Sequence, residues 1–84
     1  MDHRVVLLTR AGCSICERAA RTLAELADEL NFTWAATDVD VAAAAGEPQL
    51  RAEFGDRVPV VLLDGREHSY FTVDVPRLRR DLGV

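Results

Sequence analysis

Apolar and polar positions along this chain fall into short strand-like runs around one long helical stretch. Val5-Val6-Leu7-Leu8 is apolar on both faces of a pleat, the pattern of a central strand covered on both sides, and a strand is predicted from Val5 to about Thr9. Ala11-Gly12 supplies the turn that follows. From Ser14 to about Leu30 the apolar positions Ile15, Ala19, Leu23, Leu26 and Leu30 recur at spacings of three and four, with Glu17, Arg18, Arg21, Glu25, Asp28 and Glu29 among the rest. That spacing predicts an amphipathic helix. Asn31 tolerates the left-handed conformation and suits its end. Phe32 to Ala36 alternates large apolar with smaller residues and reads as a second strand, closed by Thr37-Asp38-Val39-Asp40. Trp34 is expected to pack in the core, as a lone strand aromatic usually does. Strand, helix and strand in this order imply parallel pairing with a right-handed crossover.

Val41 and the alanines Ala42 to Ala45 read as a small insertion in a surface loop, because Gly46 and Pro48 interrupt any longer element. A second helix is predicted from about Pro48 to Phe54, with proline in its first turn, and Gly55-Asp56 ends it. Val58-Pro59-Val60-Val61-Leu62-Leu63 is the third strand. Its proline marks an edge, a bulge or a strand's first residue. On ordinary odds the Val58–Pro59 bond would be trans. Asp64-Gly65 between two strand-like runs signals a hairpin, which sets Arg66 to about Phe71 antiparallel to the third strand. Asp74 and Pro76 look like an N-cap and the opening of a helix through Arg77 to Leu82, closed by Gly83. The resulting order is βαβαββα.

At 84 residues the chain is long enough for one small domain, spanning 1–84, and too short for two cores. Its 49% hydrophobic and 29% charged content fits an ordered globule and argues against disorder. The formal charge is −4, and the ten cations are all arginine and spread along the chain. Nucleic-acid binding needs a basic stripe instead. The lysine-free, alanine-rich bias is read as compositional, so only an arginine's position argues for a role. No apolar run approaches the roughly 18 residues of a membrane span. The opening Met1-Asp2-His3-Arg4 carries no signal-peptide pattern. A cytoplasmic protein is expected.

In a reducing compartment, two cysteines in C-x-x-C spacing point to catalysis or a metal and away from a stabilising bridge. Here Cys13-Ser14-Ile15-Cys16 sits where the first strand hands over to the long helix. The N–H groups of a helix's first turn lack intrahelical partners and, with the macrodipole, favour negative charge. Cys13 is therefore expected to be exposed, at or just before the first helical position, with its pKa below the roughly 8.5 of a free thiol. Cys16 falls on the same helical face one turn deeper, as the resolving thiol. A zinc site would need His3 and His68 or acidic residues as further ligands, and neither histidine has ligand-pair spacing. His68 is read as a surface residue.

A C-x-x-C at a strand-to-helix junction, followed some forty residues later by Val58-Pro59 at a strand's head and then a hairpin, resembles the glutaredoxin branch of the thioredoxin-fold superfamily. The small glutaredoxin-like proteins of bacteria are similar over essentially the whole chain. The resemblance implies an α/β thioredoxin-like fold whose four-stranded mixed sheet has the order 2-1-3-4, flanked by three helices. It makes Cys13 the nucleophile and Cys16 the resolving residue. Pro59 would be cis and face the sulfurs, and Val58 would bind the backbone of glutathione or of a peptide disulfide, as extended peptides add to exposed edges. Arg10 stands where many glutaredoxins carry a lysine that pairs with a glutathione carboxylate, and Arg57 could serve in the same way. The alternative for both arginines is a solvated surface position.

The activity implied is thiol–disulfide oxidoreduction on protein or low-molecular-weight disulfides, as part of cell redox homeostasis. No cofactor would be tightly bound. Electrons would come from glutathione, another small thiol or a flavoprotein reductase. The partners implied are disulfide-containing proteins and small thiols, without nucleic acid or membrane, and the protein would be a monomer. Departures from the family pattern stand beside this. Ser14-Ile15 replaces the common Pro-Tyr, and His68-Ser69-Tyr70-Phe71-Thr72 replaces a Gly-Gly followed by an aspartate that holds the glutathione γ-glutamyl group. Ser69-Tyr70 would fill space that glycines leave open. Asp74 is read as a helix cap in preference to a substitute for that aspartate. The alternative functions are an iron–sulfur cluster shared by two copies through Cys13, or binding of a partner without turnover.

Overall fold

The structure is a computed structural model, and it describes residues 3–83. Its elements are β1 (Val5–Thr9), α1 (Ser14–Leu30), β2 (Trp34–Asp38), α2 (Val39–Ala44), α3 (Gln49–Phe54), β3 (Val60–Leu63), β4 (Arg66–Tyr70) and α4 (Val75–Leu82). The sheet has the order β2-β1-β3-β4. β1 runs parallel to β2, from Val5 opposite Trp34 to Thr9 opposite Asp38. On its other side β1 is antiparallel to β3, with Leu8 opposite Val60.

Alternation along β1 and β3 divides the core between the two faces of the sheet. Val5, Leu7 and Val61 pack with Ala19, Leu23 and Leu26 of α1 and Leu78 of α4. Leu8, Val60 and Leu62 pack on the opposite face with Val39 of α2 and Phe54 of α3. Each fully buried aliphatic side chain contributes about 1.5–3 kcal/mol through removal from water. Trp34 and Phe32 are half-buried against the α1 cluster.

The alanine segment is helical where a loop is expected, so among the described residues the sheet carries four helices and the element order is βαβααββα. Asp38 explains the difference. Its Oδ1 accepts the N–H groups of Asp40 at 2.8 Å and Val41 at 3.1 Å, capping the first turn of α2. Val39 and Ala42, one turn apart, are both buried, and alanine is the strongest helix former. The second strand also begins two residues later than expected, at Trp34. Asn31 adopts φ 63°, and its N–H and that of Phe32 both donate to Ala27 O, closing α1 instead of starting a ladder. The third strand likewise starts at Val60, not Val58, and α3 starts one residue after Pro48.

Asp64 and Gly65 both take positive φ, 53° and 84°, as a two-residue hairpin turn requires. Beyond it, the β3–β4 ladder jumps from Leu62 opposite Glu67 to Val61 opposite Ser69, which leaves His68 as the extra residue of a bulge. The bulge overturns the surface placement of His68. That residue is 6% exposed, with Nε2 lying 2.8 Å from Asp81 Oδ2 of α4. Asp74 caps α4 through Arg77 N–H at 3.2 Å, and Gly83 ends it at φ 80°. Among the described residues no helix is long and apolar enough to cross a membrane.

Candidate active site

The site starts at the end of β1, where the chain must leave the sheet and enter α1 within four residues. Gly12 makes that turn with φ +72°, a conformation costly for a residue with a Cβ. Cys13 follows as the N-cap, in extended conformation, and its Sγ accepts the backbone N–H of Cys16 at 3.2 Å. The two cysteines form a disulfide across Cα atoms 5.2 Å apart. Their accessibility differs sharply. Cys16 is 3% exposed, whereas Cys13 is only half-buried. An outside sulfur can therefore approach Cys13, and Cys16 is placed to reach Cys13 alone.

The pairing of Leu8 with Val60 brings the chain just before β3 to the same end of the sheet as the turn into α1. Pro59 is fully buried there, and the Val58–Pro59 peptide is cis. Pro59 O accepts the N–H of Phe71 at 2.7 Å, which ties this segment to the end of β4. Val58 lies two residues ahead of the first ladder residue and is half-buried.

Arg10 shares a shallow hollow of about 240 Å³ with Cys13, Cys16, Glu17 and Asp38. Three of its five N–H donors are used within the protein. Nε donates to Asp40 Oδ2 at 2.8 Å, Nη2 to Asp40 Oδ1 at 3.2 Å, and Nη1 to Gly55 O at 3.2 Å. Arg51 Nη1 adds a contact to Asp40 Oδ1 at 3.4 Å. The hydrogen bonds and charge of Arg10, with help from Arg51, hold the Asp40 carboxyl below its ordinary value despite some desolvation, and the same pairing raises Arg10. Asp40 and Gly55 are the site residues that sequence reasoning missed. No local sequence signal marks them, because only the in-register pairing of Thr9 with Asp38 makes the residues that follow the two parallel strands neighbours.

Arg57 lies beside Val58 and is also occupied. Nη2 donates to Glu67 Oε1 at 3.1 Å, Nη1 is 3.6 Å from Asp56, and the guanidinium sits 5.6 Å from the centre of the Phe54 ring. Ile15, Arg18, Phe71 and Thr72 border another hollow of about 180 Å³, which neither cysteine lines. Phe71, 52% exposed at φ 66°, is the aromatic residue there, while Tyr70 packs edge-on against it and Ser69 is half-buried with an unpartnered Oγ. The two histidines are held elsewhere, His3 by Asp64 at 2.8 Å and His68 by Asp81. Among the described residues no group of three or more His, Cys, Asp or Glu side chains is placed to hold a metal ion.

Comparison with known proteins agrees with this geometry. Proteins of Mycobacterium tuberculosis and Mycobacterium bovis, both named only as uncharacterized, are 67% identical over 79 residues, covering 94% of this chain and 81% of theirs. A protein of Nitrosomonas europaea solved in solution by NMR superposes with a TM-score of 0.79 at 23% identity, covering 96% of this chain and 92% of that one. Thioredoxin of Fasciola hepatica superposes with a TM-score of 0.62 at 23% identity, over 96% and 78%. Both establish the thioredoxin-like α/β fold. The sequence profile described as Glutaredoxin-like domain (DUF836) matches residues 4–83, and the chain accordingly belongs to that glutaredoxin-like family.

Proposed function

We propose that this protein is a thiol–disulfide oxidoreductase that reduces protein or low-molecular-weight disulfides through Cys13 and Cys16. The observation that carries this reading is the unequal burial of two sulfurs joined at the start of a long helix. In the reduced protein, the first-turn N–H groups, that of Cys16 among them, favour a thiolate on Cys13. The thiolate attacks one sulfur of a substrate disulfide, forming a mixed disulfide and releasing the other sulfur as a thiolate. Cys16, deprotonated in turn, attacks Cys13 Sγ. The mixed disulfide breaks, the second substrate sulfur leaves as a thiolate, and the Cys13–Cys16 disulfide remains. Two electrons pass to the substrate, and the protons lost by the cysteines end on its two thiols.

Val58 and Pro59 serve as the docking edge in this reading, since an extended chain can pair with the backbone ahead of β3. Arg57, braced by Glu67 and Phe54, stiffens that segment from behind. The oxidised protein is returned to the dithiol by two equivalents of a small thiol, glutathione among the candidates, or by a reductase.

Reduction of insulin and of bis(2-hydroxyethyl) disulfide with dithiothreitol as electron donor, measured above the rate without protein for wild type, Cys13→Ser and Cys16→Ser, tests the proposal. Wild type should turn over both, and Cys13→Ser neither. Full activity of Cys13→Ser would sink it.

A further inference from the structure

We infer that Asp40 determines which disulfides this site accepts, by occupying Arg10 so that neutral and cationic partners are preferred over anionic ones. The inference rests on the oxidoreductase reading above and specifies its substrate class.

A carboxylate approaching a guanidinium seeks two parallel N–H···O bonds. Asp40 already makes them. Its two oxygens accept from the Nε–Nη2 fork of Arg10, and Nη1 donates one N–H to Gly55 O. A substrate carboxylate would have to displace Asp40, which Arg51 holds from a second direction. Among the described residues Arg10 is the one cationic side chain lining the hollow beside Cys13, and the pair cancels its charge. What is left on that wall is acidic. Asp38 directs Oδ1 to the N–H groups of Asp40 and Val41, and Glu17, on the exposed face of α1, has no ion pair among the described residues. Against the positive end of α1, an anion entering the hollow meets two carboxylates and finds the Nε–Nη2 fork of Arg10 already filled, while an ammonium group meets complementary side-chain charge. A unit charge about 6 Å from another in a largely aqueous setting changes a rate by roughly threefold, and more where water is partly excluded.

The inference is tested with the freshly reduced full chain and three small disulfides: cystamine, bis(2-hydroxyethyl) disulfide and 3,3′-dithiodipropionate. The rate of Cys13–Cys16 formation with each is divided by the rate of the same disulfide with dithiothreitol, which removes intrinsic reactivity. Wild type should rank cationic above neutral above anionic, spanning about tenfold at low salt and narrowing in 0.5 M salt. Asp40→Asn frees the Arg10 fork and removes a negative charge, so the anionic-to-neutral ratio should rise about tenfold. The double variant R10Q/D40N removes a neutral pair, and its ratio should stay near that of wild type even if Asp40→Asn folds poorly. Anionic disulfide reacting as fast as neutral in wild type would overturn the inference, as would an unmoved ratio in Asp40→Asn or a collapsed ratio in the double variant. Failure of all three disulfides to oxidise the wild-type protein would overturn the oxidoreductase reading itself.

Discussion

The backbone N–H of Cys16 donates to Cys13 Sγ over 3.2 Å, so the buried residue of the disulfide aims a donor at the sulfur of the more exposed one. Exposure then decides order. In the reduced protein, iodoacetamide should modify Cys13 at least about tenfold faster than Cys16, since alkylation follows thiolate character and access. Peptide mapping after partial alkylation measures it, and equal labelling would contradict the assigned roles. Cys16→Ser should still form mixed disulfides and accumulate them, visible by mass spectrometry of the intact chain.

His68 is inserted by the bulge of β4 and held by Asp81, with Nδ1 buried and without a hydrogen-bond partner among the described residues. Asp81→Ala removes the partner of a 6%-exposed ring. Leaving a buried polar group unsatisfied costs about 1–3 kcal/mol, which urea unfolding at neutral pH should register. His68→Leu combined with Asp81→Leu should recover most of that loss.

Asp64 accepts the backbone N–H of Arg4 and pairs with His3, and these contacts, the first the larger, hold its carboxyl below the ordinary aspartate value. A lowered folded-state pKa means that the unfolded chain binds the proton first. The stabilisation is thus complete above the ordinary aspartate pKa and is lost as pH falls through the folded value. Wild type should exceed Asp64→Asn in stability at pH 6, with the gap closing below about pH 4. Asparagine keeps the positive-φ turn, so the comparison isolates charge. A gap independent of pH in denaturant titrations would contradict this assignment.

Asp38→Ala removes the cap of α2 and should cost about 1 kcal/mol. Its second effect falls on Asp40, in the first turn of the same helix. The anionic-to-neutral rate ratio should therefore shift in the same direction as in Asp40→Asn, by a smaller factor. Thermal unfolding and the disulfide series measure the two effects separately.

Much of the scaffold was legible because its signals are local. The spacing of Leu23, Leu26 and Leu30, the Asp64-Gly65 pair and the Asp74 cap each act within a few residues, and each lies where expected. Cys13 could be placed at the head of α1 for the same reason. The misses involve longer-range competition. Asp38 ends a strand and caps a helix at once, so the alanines that follow read as loop until the buried side of Val39 is known. His68 reads as surface because one inserted residue breaks the alternation that strand reading assumes. Arg10 reads as available because its partner lies thirty residues away and meets it only through the β1–β2 register.

β1 is hydrogen-bonded on both sides, to β2 up to Thr9 and to β3 from Leu8. The cysteine turn, the Asp40 helix and the proline segment therefore all take their positions from one five-residue strand. Lengthening the connection over residues 45–48, which lies outside the ladders, would leave those relative positions intact. A one-residue slip of β1 would send the side chains of each face into the core on the other and displace all three groups together. Chain-length variation among relatives is thus tolerable at the 45–48 connection and costly within Val5–Thr9.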